Sequence, residues 1–311
     1  MAFVRTIIIA LVLLSASTGC TKPDPYGKAA TEALREQDVP KAFELSLQAM
    51  SDGSTDQLVC YIAAMAKFYE GDLVACMDFA NRITETDSMY SRARVIYTSA
   101  WVQAHPKQWV PKGLIDSLEK QIKVETDNQN LSVLHEARQL VYRQLWYQAD
   151  STDPYRPRYG MEMMMSATAA IGNDSVSLPS WKVMVEHNLL WGVPTLTQLL
   201  YRTADDIAGD DRLFQPQKLG LVCLAMRVAV DNEDIALLRH FAELYVKLDP
   251  TAESVGFNKI TQLKDGTPYR TCLELLQLAV EQSTVLYQAL IESDYPRILM
   301  PRLEAKEKEN A

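Results

Sequence analysis

A chain of 311 residues that is 48% apolar has material for a substantial core, and its formal net charge of −9 repels phosphate backbones, so nucleic acid is not an expected partner. With only 12 glycines it is poorly supplied with phosphate- or dinucleotide-cradling loops, and it contains no G-x-G-x-x-G, P-loop or G-x-S-x-G pattern.

The chain opens "MAFVRTIIIALVLLSASTGC": one early charge at Arg5, an apolar run from Ile7 to Leu14, then small residues ending at Cys20. This order is that of a secretory signal peptide, and the run is shorter than the roughly 20 apolar residues a membrane-spanning helix needs. Ser17-Thr18-Gly19-Cys20 resembles the bacterial lipobox, although Ser17 stands where that motif usually has leucine. The resemblance implies cleavage before Cys20 and diacylglycerol on its thiol, with the new N-terminus acylated; an ordinary secreted protein cut elsewhere is the alternative. Several buried acyl chains, each methylene contributing about 0.8 kcal/mol, hold a protein firmly to a leaflet where one chain does not. Thr21 is not the aspartate that retains lipoproteins in the inner membrane, so the resemblance implies the outer membrane. Removing residues 1–19 takes Arg5 with it and moves the net charge from −9 to −10. A short lipidated linker, residues 20–25, follows.

From there apolar spacing is helical. Leu58, Ile62, Met65 and Tyr69 make one stripe, and breaks at Gly71-Asp72, Gly172, Pro179-Ser180, Gly192, Pro216, Asp249-Pro250 and Gly266-Thr267-Pro268 divide the chain into about a dozen helices. Only "VGFNKITQLKDG" leaves room for a short strand. The expected fold class is all-α, a helical-hairpin repeat array.

A repeat is visible near the start. Asp38 and Asp72 stand 34 residues apart, and at the same offset lie Ala30 and Ala64, Ala42 and Cys76, Ser46 and Ala80, and Ala49 and Ile83. Small residues let paired helices approach, and each aspartate can cap the second helix of its pair. This pattern resembles the tetratricopeptide repeat over residues 26–87, with Gln37 in place of a turn glycine and Ser88 in place of a closing proline. A third unit, Ser91 to Thr126, is weaker, and a degraded one returns at Leu219–Pro250 with Ala225, Ala229, Asp234 and Ala242 in register but Met226 and Leu238 at small-residue places. An irregular helical array with chance periodicity is the alternative. Hairpin arrays stack because one pair cannot bury its own apolar face.

Repeats are expected over 26–148 and a linker or long loop at "ADSTDPYRPRYG", residues 149–160. A second helical region over 161–295 and a charged tail over 296–311 complete the chain. Whether the halves are separate domains or one continuous array stays open. Cys60, Cys76, Cys223 and Cys272 sit in apolar stretches and read as small buried hydrophobes, with a Cys60–Cys76 bridge as the alternative.

Chemistry is sparse. His105, His135, His187 and His240 show no metal-ligand spacing, and "HEAR" at His135 lacks the second histidine of a zinc-protease helix. Asp205-Asp206 and Asp210-Asp211 read as a polar turn rather than an acid pair for hydrolysis or calcium. No cofactor, metal or catalytic residue is expected. The run "MEMMMSATAAIG" reads as core or as an adaptable surface, and Trp101, Trp109, Tyr142, Trp146, Tyr147, Tyr155 and Tyr159 serve equally for packing, for interfaces or for stacking sugars.

The tetratricopeptide resemblance implies that the first helix of unit two faces a groove, which makes Tyr61, Met65 and Phe68 candidate contacts for a partner peptide. It also implies a non-enzymatic interaction scaffold, held to the envelope membrane through Cys20, for another envelope protein. The alternative is a glycan- or nutrient-binding lipoprotein beside an outer-membrane transporter.

Overall fold

The computed structural model describes residues 25–36, 38–190, 193–209, 215–251 and 254–283. Cys20 and its leader, Asp210-Asp211 and the charged tail lie outside the described residues. Fourteen α-helices and one 3₁₀ turn make up the described secondary structure, with no strand among them. "VGFNKIT" forms a helix rather than the strand the sequence left room for.

The chain divides into two compact units between Asn173 and Asp174. In the first, α1 (Pro25–Arg35) and α2 (Val39–Ser51) are followed by α3 (Gln57–Glu70) and α4 (Leu73–Asn81), then α5 (Tyr90–Ala104) and α6 (Lys112–Val124), then α7 (Asn128–Gln148) and α8 (Arg156–Asn173). Each helix packs on its successor, and α1, α3, α5 and α7 also pack on one another in turn. That pattern follows from small residues at the crossings. Ala30, Ala64, Ala42, Cys76, Ser46, Ala80, Ala49 and Ile83, all at the 34-residue offset, are buried, as is Thr98 on α5.

The turns repeat as well. The backbone N–H groups of Asp38 and Asp72 donate to the carbonyls of Ala33 and Lys67, five residues back, closing the first helix of each pair. The carboxylates of the same residues accept from the N–H groups of Lys41 (3.3 Å) and Ala75 (3.2 Å), opening the second. One aspartate therefore satisfies orphan groups on two helices.

In the second unit α9 (Leu178–Glu186), α10 (Pro194–Asp206), α11 (Gln215–Asp231) and α12 (Ile235–Leu248) precede α13 (Val255–Thr261) and α14 (Tyr269–Gln282). The apolar α11 packs against α9, α10, α12 and α14. The α11–α12 turn reproduces the first-unit geometry. Asp234 N–H donates to Ala229, and its carboxylate accepts from Leu237 N–H at 2.9 Å. Here the residue before the aspartate is Glu233, at φ 55°, where Gly71 (φ 79°) stands in the second pair. Helices α13 and α14 cross so closely at Gly256 that a Cβ there would lie 2.7 Å from Ala279 Cα.

The structure differs from the sequence reading at residues 149–160. Arg156–Gly160 form the first turn and more of α8, and the division between units lies later. Helix α8 belongs with α7 because Ser132 Oγ donates to Ala170 O (3.0 Å), and Arg138 reaches across to Glu162 (2.8 Å) and Ser166 (2.7 Å).

Candidate functional site

Tyr61 and Met65, the proposed groove contacts on α3, are each only 3% exposed. The reason is that α3 is covered by α1, α2, α4 and α5, so every residue from Val59 to Ala66 is buried. Burial pushes the Tyr61 phenol up to about 12. Phe68 is half-buried and meets Tyr69 edge-on, and Tyr69 in turn stacks on Phe43.

All four described cysteines are free and buried; desolvation raises Cys60 to about 11 and Cys76 and Cys223 to about 12. No group of three or more His, Cys, Asp or Glu among the described residues could hold a metal ion. His105 stacks on Trp101, and the ring of His240 meets Asp205 at 2.6 Å between α12 and α10, both half exposed. His135 is held below the ordinary histidine range by burial and then by the charge of Arg138. A hollow of about 260 Å³ between the α11–α12 turn and the start of α14 is lined by backbone turns and by Leu238, Pro268, Tyr269 and Cys272.

The aromatics of the middle of the chain sort differently. Trp101 is half-buried and Tyr142 buried, where the Arg138 guanidinium lies 4.7 Å over the Tyr142 ring. Three segments bring the others to one place: the α5–α6 connection, the end of α7 and the start of α8. Side-chain amides of α7 hold the connection. Gln144 Nε2 donates to the carbonyls of His105 (2.9 Å) and Gln108 (3.0 Å), and Gln148 Nε2 to those of Pro106 (3.3 Å) and Gln108 (2.6 Å). With Val110 buried just beyond, Trp109 is fixed in backbone position yet 52% exposed. Its ring meets that of Tyr159 edge to face, with centroids 6.0 Å apart and planes at 68°.

The start of α8 is fixed as firmly. Arg156 lies 4.7 Å over the Trp146 ring, and Gly160 packs on the same indole, where a Cβ would stand 3.4 Å from it. Tyr155 is 59% exposed, its N–H donating to Asp153 at 2.8 Å. Asp150 is held below the usual carboxylate range by hydrogen bonds from the backbone and hydroxyl of Thr152 and from Ser151. Arg138 also reaches Glu119 at 3.3 Å, tying α6 to α7 and α8. The result is a rigid surface of aromatic rings, with Tyr147 at its margin.

Sequence reasoning named these residues without separating packing rings from exposed ones. The separating signal was their setting: Trp109 lies between Pro106 and Pro111, and Tyr155 between Pro154 and Pro157, in stretches without helical spacing.

No protein-family model matches the chain, and no curated protein matches it in sequence. No helix among the described residues is long and apolar enough to cross a membrane.

Proposed function

We propose that this protein is an envelope lipoprotein, tethered to the outer membrane through Cys20, that acts as a non-enzymatic helical-repeat scaffold binding another envelope protein or peptide. The leader and the Cys20 motif support the tether. The turn recurring at Asp38, Asp72 and Asp234, with buried small residues at the 34-residue offset, supports descent of the array from tetratricopeptide-like pairs. The contact surface is the aromatic patch of the first unit, not the α3 face.

The observation that carries the reading is the exposure of Trp109, on backbone held by Gln144 and Gln148, and of Tyr155, on a local turn closed by Asp153. Backbone held in place before binding lowers the ordering cost of contact, and exposed aromatic side chains are favoured anchors at interfaces. The test is cross-linking in intact envelopes through a photoreactive side chain at Lys107, beside the patch. A discrete adduct that disappears in Trp109→Ala/Tyr155→Ala supports the reading. The same adduct in the double variant, or none in either, defeats it.

A further inference from the structure

We infer that the lipid on Cys20 turns one edge of the first unit, the edge carrying the start of α1, toward the leaflet headgroups, so that the aromatic patch faces away from the membrane; this rests on the tether of the reading above. The first ground is that contacts at the helix ends give the unit two distinct edges. Near the start of α3, Cys60 Sγ meets Met50 Sδ at the end of α2 (3.7 Å), and Gln57 Oε1 accepts from the N–H of Thr84, just past α4, at 2.8 Å. Early in α5, Arg94 donates to Ala80 O (3.1 Å) and Asn81 Oδ1 (3.0 Å) at the end of α4, and Arg92 Nε donates to Asn130 Oδ1 at the start of α7 (3.1 Å). The starts of α3, α5 and α7 therefore share an edge with the ends of α2 and α4. The start of α1 joins them, because the chain reverses at Asp38 and α1 packs along α2.

The opposite edge holds the other helix ends. Phe43, early in α2, stacks on Tyr69 at the end of α3 with centroids 6.1 Å apart. Gln144 and Gln148, near the end of α7, hold the carbonyls of His105, Pro106 and Gln108, just past α5. The turns at Asp38 and Asp72, Trp109, and the α7–α8 turn with Tyr155 thus share this edge, one helix length from the start of α1.

The second ground is reach. From Cys20 to Pro25 the chain advances five residues, which span no more than about 18 Å when fully extended. Helices α3 and α7, of 14 and 21 residues, rise about 21 and 31 Å. Laying the aromatic edge on the leaflet would lift the start of α1 by such a helix length, beyond the tether. Nor is α1 free to peel off and lengthen it, since Ala30, Ala33 and Leu34 are buried. Tilting the unit to lie along α1 changes little, because the patch belongs to the third and fourth helix pairs. A partner taken by the patch must therefore approach from the aqueous side.

The test is quenching of the full-length lipidated protein in phosphatidylethanolamine–phosphatidylglycerol vesicles that carry a headgroup-nitroxide lipid. A fluorescent side chain is placed at Asp52, in the α2–α3 turn, or at Lys107, beside Trp109. Circular dichroism confirms that both labelled proteins are folded. The label at position 52 should be quenched several-fold more strongly than the label at 107. Lengthening the linker before Pro25 by about 20 Gly-Ser residues, with a mean span of roughly 25 Å, should abolish the difference. Equal quenching with the native linker, stronger quenching at 107, or a difference that survives the long linker overturns the inference. A protein that does not float with the vesicles loses the tether and the orientation together. If it floats and position 107 is quenched as strongly as 52, the tether stands and the orientation alone falls.

Discussion

At the scale of single side chains, burial sets the protonation of the cysteines and of His135. The thiols of Cys60, Cys76 and Cys223 are raised to about 11, 12 and 12 by desolvation, so little thiolate exists at pH 8. Ellman's reagent should therefore react slowly with the folded protein and count four thiols in guanidinium. A fifth thiol would mean that Cys20 is unmodified, and only two would mean a Cys60–Cys76 bridge. His135 offers a pH test. Its folded pKa is depressed by burial and by Arg138, so below the ordinary range near pH 6.5 the unfolded chain takes up a proton that the folded chain resists. Its contribution is intact above that range and is lost as pH falls toward the folded pKa. His135→Gln should flatten the fall in thermal stability between pH 7 and 5; an unchanged slope would refute the assignment.

Helix pairs show how local chemistry sets the architecture. Replacing Asp72 or Asp234 with alanine removes the cap of the second helix and should cost about 1 kcal/mol in urea unfolding, whereas alanine at exposed Asp78 should cost less than half of that. Glu233 sits in the left-handed region that Gly71 occupies without strain. Glu233→Gly should stabilise by about 0.5–1 kcal/mol, the relief of backbone strain less the added freedom of the unfolded chain. Gly256→Ala should act oppositely and destabilise by about 1–3 kcal/mol, because the new methyl meets the backbone of Ala279 rather than a flexible side-chain end.

For the molecule as a whole, the sequence argues for attachment by lipid, and the described helices contain no membrane-crossing segment. Cys20→Ser should shift the protein from the membrane pellet to the soluble periplasmic fraction. Retention of the variant in carbonate-washed membranes would refute the tether. The division at Asn173–Asp174 gives the aromatic patch to a unit whose helices are cross-tied by Arg138, Glu119, Glu162 and Ser166, a rigid base for a binding surface.

The helices, the aspartate caps and the buried small positions were legible in the chain alone, because spacing, capping and close approach depend on neighbours a few residues apart or on a regular offset. Two exposures were not legible. Tyr61 and Met65 lie on the helix that the repeat resemblance turned toward a groove, but four other helices converge on it and bury both. Trp109 and Tyr155 carry the same side-chain chemistry as buried Tyr142, and the setting of Trp109 is made by contacts between segments about 40 residues apart. Solvent access is a property of what surrounds a residue, and for an aromatic ring the same chemistry serves core and surface alike.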